Sequence, residues 1–384
     1  MAAPVGRIGK GGEIDSADFN CRVFRINRPA RWRPYLNASN HRGMQGGALG
    51  GLLKLVLLLA LIGGAVAFWH YHSFTATPLH PKQSHVEIRR GDSFRNVLAT
   101  LRGAGIHQGH DLEWQLLAWQ LGVRSRLQVG EYEIAAGTSP KQLLRQFAEG
   151  RVLQYRFTIV EGWNISELRA AIAHAPEMKH DLADLDDAAL MAKLGRPGVH
   201  PEGRFLPETY DYTRGSHDLD VLKRAAKAMD GELTKAWESR SKALPLKDSE
   251  QALVLASIVE KETAKPEERP RIAGVFVRRL KLGMLLQTDP TVIYGLGSSY
   301  DGNIHKRDLL TDTPYNTYTR AGLPPTPIAM PGRAALQAAT HPEPGDALYF
   351  VARGDGSHEF TSNLTDHSRA VARYQLGRGG TPQQ

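Results

Sequence analysis

From Ala48 to Trp69 the chain reads ALGGLLKLVLLLALIGGAVAFW, a run of apolar residues broken by one charge, Lys54. At about 1.5 Å per residue a helix of this length crosses a hydrocarbon core of about 30 Å. Lys54 lies close enough to the N-terminal end for its stem to carry the ammonium to the headgroups. The pattern predicts a transmembrane helix over 48–69. Ala65-Val66-Ala67 would suit a signal-peptide cleavage site, but the 47 preceding residues are far longer than an ordinary leader, which favours an uncleaved anchor. Residues 70–83, with two prolines in SFTATPLHPKQ and no period, read as a linker. A strand is predicted at His85–Ile88. Gly91-Asp92-Ser93 then opens a helix in which Phe94, Val97, Leu98 and Leu101 follow i, i+3, i+4, i+7. Gly103 and Gly105 end it, a second helix fits Asp111–Leu121, and Glu131–Ile134 supplies a returning strand. Thr138-Ser139-Pro140 caps a further helix closed by Gly150.

Beyond 151 the pattern predicts a strand over Val152–Val160 and a helix from Asn164. A mostly helical, charged stretch runs to about 245 and is interrupted by HPEGRFLPETYDYTRG, His200–Gly215, read as a shaped loop. An apolar helix follows over Leu253–Thr263. After Pro270 comes an amphipathic one carrying Ile272, Val275, Phe276 and Leu280. The sum is an α+β chain: one N-terminal transmembrane helix, a small subdomain over 84–150, and a mixed α/β region over 151–375.

Charge adds a direction. The net balance is +8, yet eight basic residues against three acidic ones precede Lys54, so little excess remains for a phosphate-tracking surface and nucleic acid is not an expected partner. Many arginines precede the apolar run, and no Lys or Arg follows it until Lys82. The positive-inside rule then puts residues 1–47, without helical or strand period, in the cytoplasm as a tail, with the rest outside and Trp69 and Tyr71 in the outer aromatic belt. Residues 376–384 read as a flexible end. The lone cysteine, Cys21, allows neither an intrachain disulfide nor a cysteine metal cluster. His341, His358 and His367 lack metal-ligand spacing, and no metal or other cofactor is expected.

The chemistry concentrates in LVLASIVEKET, Leu253–Thr263. On a 3.6-residue period Glu262 shares a face with Leu255, Ile258 and Val259, whereas Glu260 follows Ala256 and Ser257 on a neighbouring face. Burial and the negative helix end would both hold Glu262 protonated near neutral pH, as a general acid requires, while Lys261 and Lys265 would offset part of the shift. By composition alone, an ordinary solvated helix end explains the same residues.

Two resemblances extend this reading. Strand, helix, helix, strand with Gly91-Asp92-Ser93 is similar to a LysM-type glycan-binding module, although a plain structural subdomain would show the same pattern. LASIVEKET, GMLLQTDPTVIYGLG, PYNTYTRAGLPPTPIAMPG and HPEPGDALYFVARGDGSHEF, in that order between Leu255 and Phe360, resemble the endolytic murein transglycosylase family, also named MltG or YceG-like, and the resemblance runs from about 85 to 375. The resemblance implies a lyase that cuts between N-acetylmuramic acid and N-acetylglucosamine, leaves 1,6-anhydro ends and ends nascent strand growth. Peptidoglycan strands, the cytoplasmic membrane and penicillin-binding synthases are its implied partners. It places the catalytic glutamate in Ile258–Thr263, and a further likeness of Glu262-Thr263 to the Glu-Ser pair of soluble lytic transglycosylases selects Glu262. Gln287, Thr288, Asp289, Tyr315, Asn316 and Tyr318 are expected as a polar and aromatic wall for the sugars, though each also suits a turn or core role. The rivals are a catalytically silent wall-binding scaffold and a membrane-anchored muramidase.

Overall fold

The computed structural model describes residues 47–376. The expected tails, apart from Gly47 and Leu376, and Cys21 lie outside the described residues. Helix α1 spans Gly47–Ala76. Its stretch Gly50–Ala76, 27 residues, is long and apolar enough to cross a membrane, with side chains such as Leu53, Leu57 and Ile62 exposed. The chain divides within this helix into a unit ending at Val66 and another beginning at Ala67.

In the second unit the expected linker is corrected. The helix continues to Ala76, Phe74 and Leu79 are buried, and the Leu79 amide donates to the Thr138 carbonyl at 2.9 Å. Phe74 stands edge-on to Trp114 with ring centroids 5.4 Å apart. Two apolar residues within 70–83 are therefore core residues of the small subdomain, too few to give that segment a visible period. Tyr71, expected in the aromatic belt, donates to the Gln120 side chain.

The subdomain runs β1 (His85–Ile88), α2 (Phe94–Gly103), α3 (Asp111–Gln120), β2 (Gly130–Glu133) and α4 (Pro140–Glu149). β1 and β2 are antiparallel, with His85 opposite Glu133 and Ile88 opposite Gly130. Ser93 caps α2 by accepting from the Asn96 amide. Ser139 and Gln142 form a capping box on α4, which Gly150 closes at φ 66°. Val86, Ile88, Leu98, Trp114, Tyr132 and Phe147 fill the core.

β3 (Tyr155–Thr158) pairs antiparallel with β4 (Thr209–Tyr212). The interruption at 200–215 thus contains a strand that its prolines and glycines conceal. Asn164 and Glu167 make a capping box on α5 (Ile165–Ile172). With α6 (Asp187–Lys193) and α7 (Asp218–Glu238), this pair encloses a core around Phe157, Leu168, Phe205 and Leu222.

The third core surrounds α8 (Ser249–Glu262), packed against α9 (Arg269–Lys281) and α12 (Arg333–Thr340). Every residue of α8 from Ala252 to Glu260 is buried, so between its first turn and its last this helix has no solvent face. α10 (Asp289–Leu296) and α11 (Lys306–Leu310) precede α12. The antiparallel pair β5 (Tyr349–Ala352) and β6 (His358–Thr361) follows. α13 (Leu364–Val371) and a π-helical turn, Ala372–Leu376, pack against it.

Candidate active site

Helix α8 ends at Glu262 because Thr263 turns to extended backbone at φ −147°, which brings the glutamate to a cleft of about 490 Å³. The walls come from Arg279 on α9, Leu286–Asp289 ahead of and opening α10, Tyr318, Tyr349 and His358 from β5 and β6, and Leu364 and His367 of α13. The Thr288 hydroxyl donates to Glu262. Thr288 is itself buried, its amide donating to Thr317 Oγ1 at 3.1 Å. Glu262 is half-buried, and burial pushes its carboxyl up to about 7. The Asp289 charge pushes the same way, while the Thr288 hydrogen bond and the Arg279 charge oppose it. The offsetting cation is Arg279, where Lys261 and Lys265 were expected; Lys261 is drawn away to the Gly162 carbonyl, 3.1 Å distant.

Arg279 is held rigidly: Nε donates to the Leu348 carbonyl at 2.7 Å, and Nη1 to Leu286 at 2.7 Å and Leu285 at 3.3 Å. Its guanidinium lies 5.0 Å from the Tyr349 ring centroid. Gln287 takes a left-handed backbone, φ 51°, unusual for a residue with a Cβ and of a kind that clusters at functional sites. Its amide donates to the Thr317 carbonyl at 3.1 Å, and its side chain is exposed. Tyr318 donates to Asp289 Oδ1 at 2.5 Å. The ring of His367 stacks on Tyr349 with centroids 5.1 Å apart, and His358 Nδ1 lies 2.7 Å from Glu268 Oε2.

Gln287, Thr288, Asp289 and Tyr318 therefore share the cleft with Glu262, whereas Tyr315 and Asn316 are not among its walls. Asn316 is 1% exposed. Its amide nitrogen donates to the carbonyls of Asp308, Leu309 and Thr311 at 3.1, 3.1 and 2.7 Å, and its Oδ1 accepts the Tyr318 amide at 2.9 Å. This side chain has no proton left for a sugar; it holds the turn that carries Tyr318. Tyr315 packs edge-on against Tyr294 at 4.9 Å and shares a 2.7 Å hydrogen bond with Thr326. Arg279, Tyr349, His358 and His367 are walls that sequence reasoning missed. Tyr349 and His358 were signalled only by membership of the C-terminal LYF and SHEF motifs, Arg279 only by its place in an ordinary amphipathic helix, and His367 lies beyond all of these motifs.

The contrast drawn between the two glutamates also needs correction. Glu260 is 8% exposed and more deeply packed than Glu262, because α8 is buried on all sides and one apolar stripe cannot distinguish them. Arg269 Nη2 bonds Glu260 Oε1 at 2.7 Å and lies 3.3 Å from Glu161, while the Gly332 amide donates to Glu260 Oε2 at 2.8 Å. Burial still raises the Glu260 carboxyl above its usual range. Both oxygens are engaged inside the protein, which makes Glu260 a fastener of the helix end. Glu202 is a third raised carboxyl, pushed up to about 7 by full burial. Its Oε2 lies 3.1 Å from both the Ile165 amide and the Tyr294 hydroxyl, and it is not a wall of the cleft. A more apolar cavity of about 250 Å³ beside α5 contains Asp218, whose oxygens accept the Leu182 and Leu219 amides.

A model of the YceG-like family matches residues 86–373. An endolytic murein transglycosylase of Bacillus subtilis strain 168 is 33% identical over 267 residues, covering 65% of this chain and 74% of that protein. Another of that name, from Streptococcus pneumoniae D39, is 27% identical over 357 residues, covering 83% of this chain but only 64% of its own length. A crystal structure of a putative YceG-like protein from Listeria monocytogenes is 29% identical and covers 74% of this chain and 97% of that one, with a TM-score of 0.47.

Proposed function

This chain belongs to the YceG-like family, and from that premise we propose that it is a membrane-anchored lytic transglycosylase of peptidoglycan, with Glu262 as its one acid and base. The observation that carries the reading is a carboxyl raised to about 7 in a cleft whose walls are amide, hydroxyl and aromatic groups. Such a group is substantially protonated near neutral pH and can give up its proton there.

In the reaction the Glu262 proton passes to the oxygen bridging N-acetylmuramic acid to N-acetylglucosamine as the C1–O bond breaks. The C6 hydroxyl of the muramic acid closes on C1, and its proton returns to Glu262. The products are a free 4-hydroxyl and a 1,6-anhydro end; no water is consumed, and no second carboxylate is required to activate one. Thr288 holds one oxygen of Glu262 by hydrogen bond, leaving the other for the sugar. Gln287, Asp289 and Tyr318 offer hydrogen bonds to hydroxyls and acetamides, and Tyr318 and Tyr349 offer flat faces. α1 crosses the cytoplasmic membrane with its N-terminus inside and the cleft outside, the orientation favoured by the arginines ahead of it. Binding of glycan by the LysM-like subdomain, and strand termination beside penicillin-binding synthases, follow from the same reading.

The test is mass spectrometry of fragments released from purified glycan strands by the full-length protein in detergent. Anhydro ends support the lyase. Reducing ends would assign a muramidase instead, and an absence of fragments a scaffold.

A further inference from the structure

Helix α3 is apolar on two opposite faces. Trp114, Leu117 and Ala118 enter the subdomain core, while Leu112, Leu116 and Trp119, at i, i+4 and i+7, stand 76, 44 and 69% exposed. A stripe of that kind on a stable surface marks a partner. Its direction can be worked out from the end of α1. His70 lies 2.9 Å from Glu113, and its neighbour Tyr71 bonds Gln120. Adjacent residues of one helix thus meet residues two turns apart on the other, about 10 Å along its axis, so α3 lies crosswise to α1. Phe74, one turn further along α1, reaches the core face of α3 at Trp114. The core therefore lies toward the C-terminal end of α1, and the stripe, opposite it, looks back toward Ala67 and Phe68. There Phe68 and Trp69 are themselves 69 and 72% exposed.

We propose that the Leu112–Leu116–Trp119 face of α3 rests in the membrane interface beside Trp69, so that the small subdomain lies against the lipid surface. This rests on the reading of α1 as a membrane span. A short helix across the end of a span, with leucines and a tryptophan turned to the bilayer, has the composition of an interfacial element. A glycan strand or a second copy of the chain would not require the stripe to face the side of Ala67 and Phe68.

The test uses full-length protein in phosphatidylglycerol–phosphatidylethanolamine vesicles, in a Cys21→Ser background, with nitroxide labels at Val56→Cys, Leu116→Cys, Trp119→Cys and Leu310→Cys. Collision with oxygen, which partitions into lipid, is compared with collision with a water-soluble nickel chelate. Leu310, 69% exposed on α11, serves as the aqueous reference. The labels at 116 and 119 should favour oxygen over nickel well above that reference, approaching the Val56 value. If Val56 is lipid-exposed but 116 and 119 match Leu310, the docking is wrong and the span stands; if Val56 also meets nickel freely, the span itself fails. Protection at 116 and 119 from both reagents, growing with the protein-to-lipid ratio, would assign the face to a second copy and overturn the proposal.

Discussion

Replacing Arg269 with methionine takes the guanidinium from between Glu260 and Glu161, and the arrangement sets the size of the loss. Arg269 and Glu260 are 6 and 8% exposed and meet at 2.7 Å. Removing one partner of such a pair strands the other and costs about 3–5 kcal/mol. The Glu161 contact, at 3.3 Å to a half-exposed carboxylate, adds at most about 1 kcal/mol. At roughly 2–4 °C per kcal/mol, the pair alone corresponds to a fall in melting temperature of about 6–20 °C. The loss has a pH signature. Glu260 is already held above its usual range by burial, with the Gly332 amide and Arg269 pulling it down. Without Arg269 it rises further. A carboxyl raised in the folded state favours folding most below its unfolded value, near 4.3, and loses that advantage as pH rises through the folded value. The melting deficit of Arg269→Met relative to wild type, measured by calorimetry, should therefore be larger at pH 8 than at pH 5. Glu260→Gln combined with Arg269→Met should recover part of it. A deficit below about 2 °C, or one identical at both pH values, would refute the assignment of Glu260 as a buried ionic fastener.

Three further outcomes follow from other contacts. The pH profile of kcat/KM should fall as pH rises through about 7, where Glu262 loses its proton, and Asp289→Asn should move that limb to lower pH because a charge raising the Glu262 carboxyl is gone. Asn316→Ala should cost about 1–3 kcal/mol in thermal melts through the carbonyls it leaves unpaired and, by loosening the turn that carries Tyr318, should raise KM for glycan strands, though less than Tyr318→Ala does. Gly109→Ala puts a Cβ 2.2 Å from the Phe74 ring at φ +71°, so the subdomain 67–150 should lose hydrogen-exchange protection while the core around α8 keeps it.

Much of the small subdomain was legible because its caps are local. Ser93, Ser139 and Gly150 punctuate the chain where the structure begins or ends helices, and the apolar period of α2 matches its buried face. β4 was not legible: its residues alternate buried and exposed for only four positions, between Pro207 and Gly215, which read as loop. At the site, Glu262 and the 287–289 turn could be proposed from sequence because they fall in two compact motifs. The roles of Asn316 and Glu260 could not, since they depend on which backbone amides and carbonyls the fold brings near them. Arg279 illustrates the same limit. In sequence it is one of several basic residues ending an amphipathic helix, and only the fold aims it at Leu348, Leu286 and the neighbourhood of Glu262.

The claim on which the rest depends is that one carboxyl supplies both acid and base, and Glu262→Gln tests it most directly. The amide preserves size and can still accept from Thr288, but has no proton to give. Turnover of purified glycan strands by the full-length variant should fall by about 10²–10⁴-fold, with a melting temperature near that of wild type. Turnover within a few-fold of wild type in a folded Glu262→Gln protein would contradict the account.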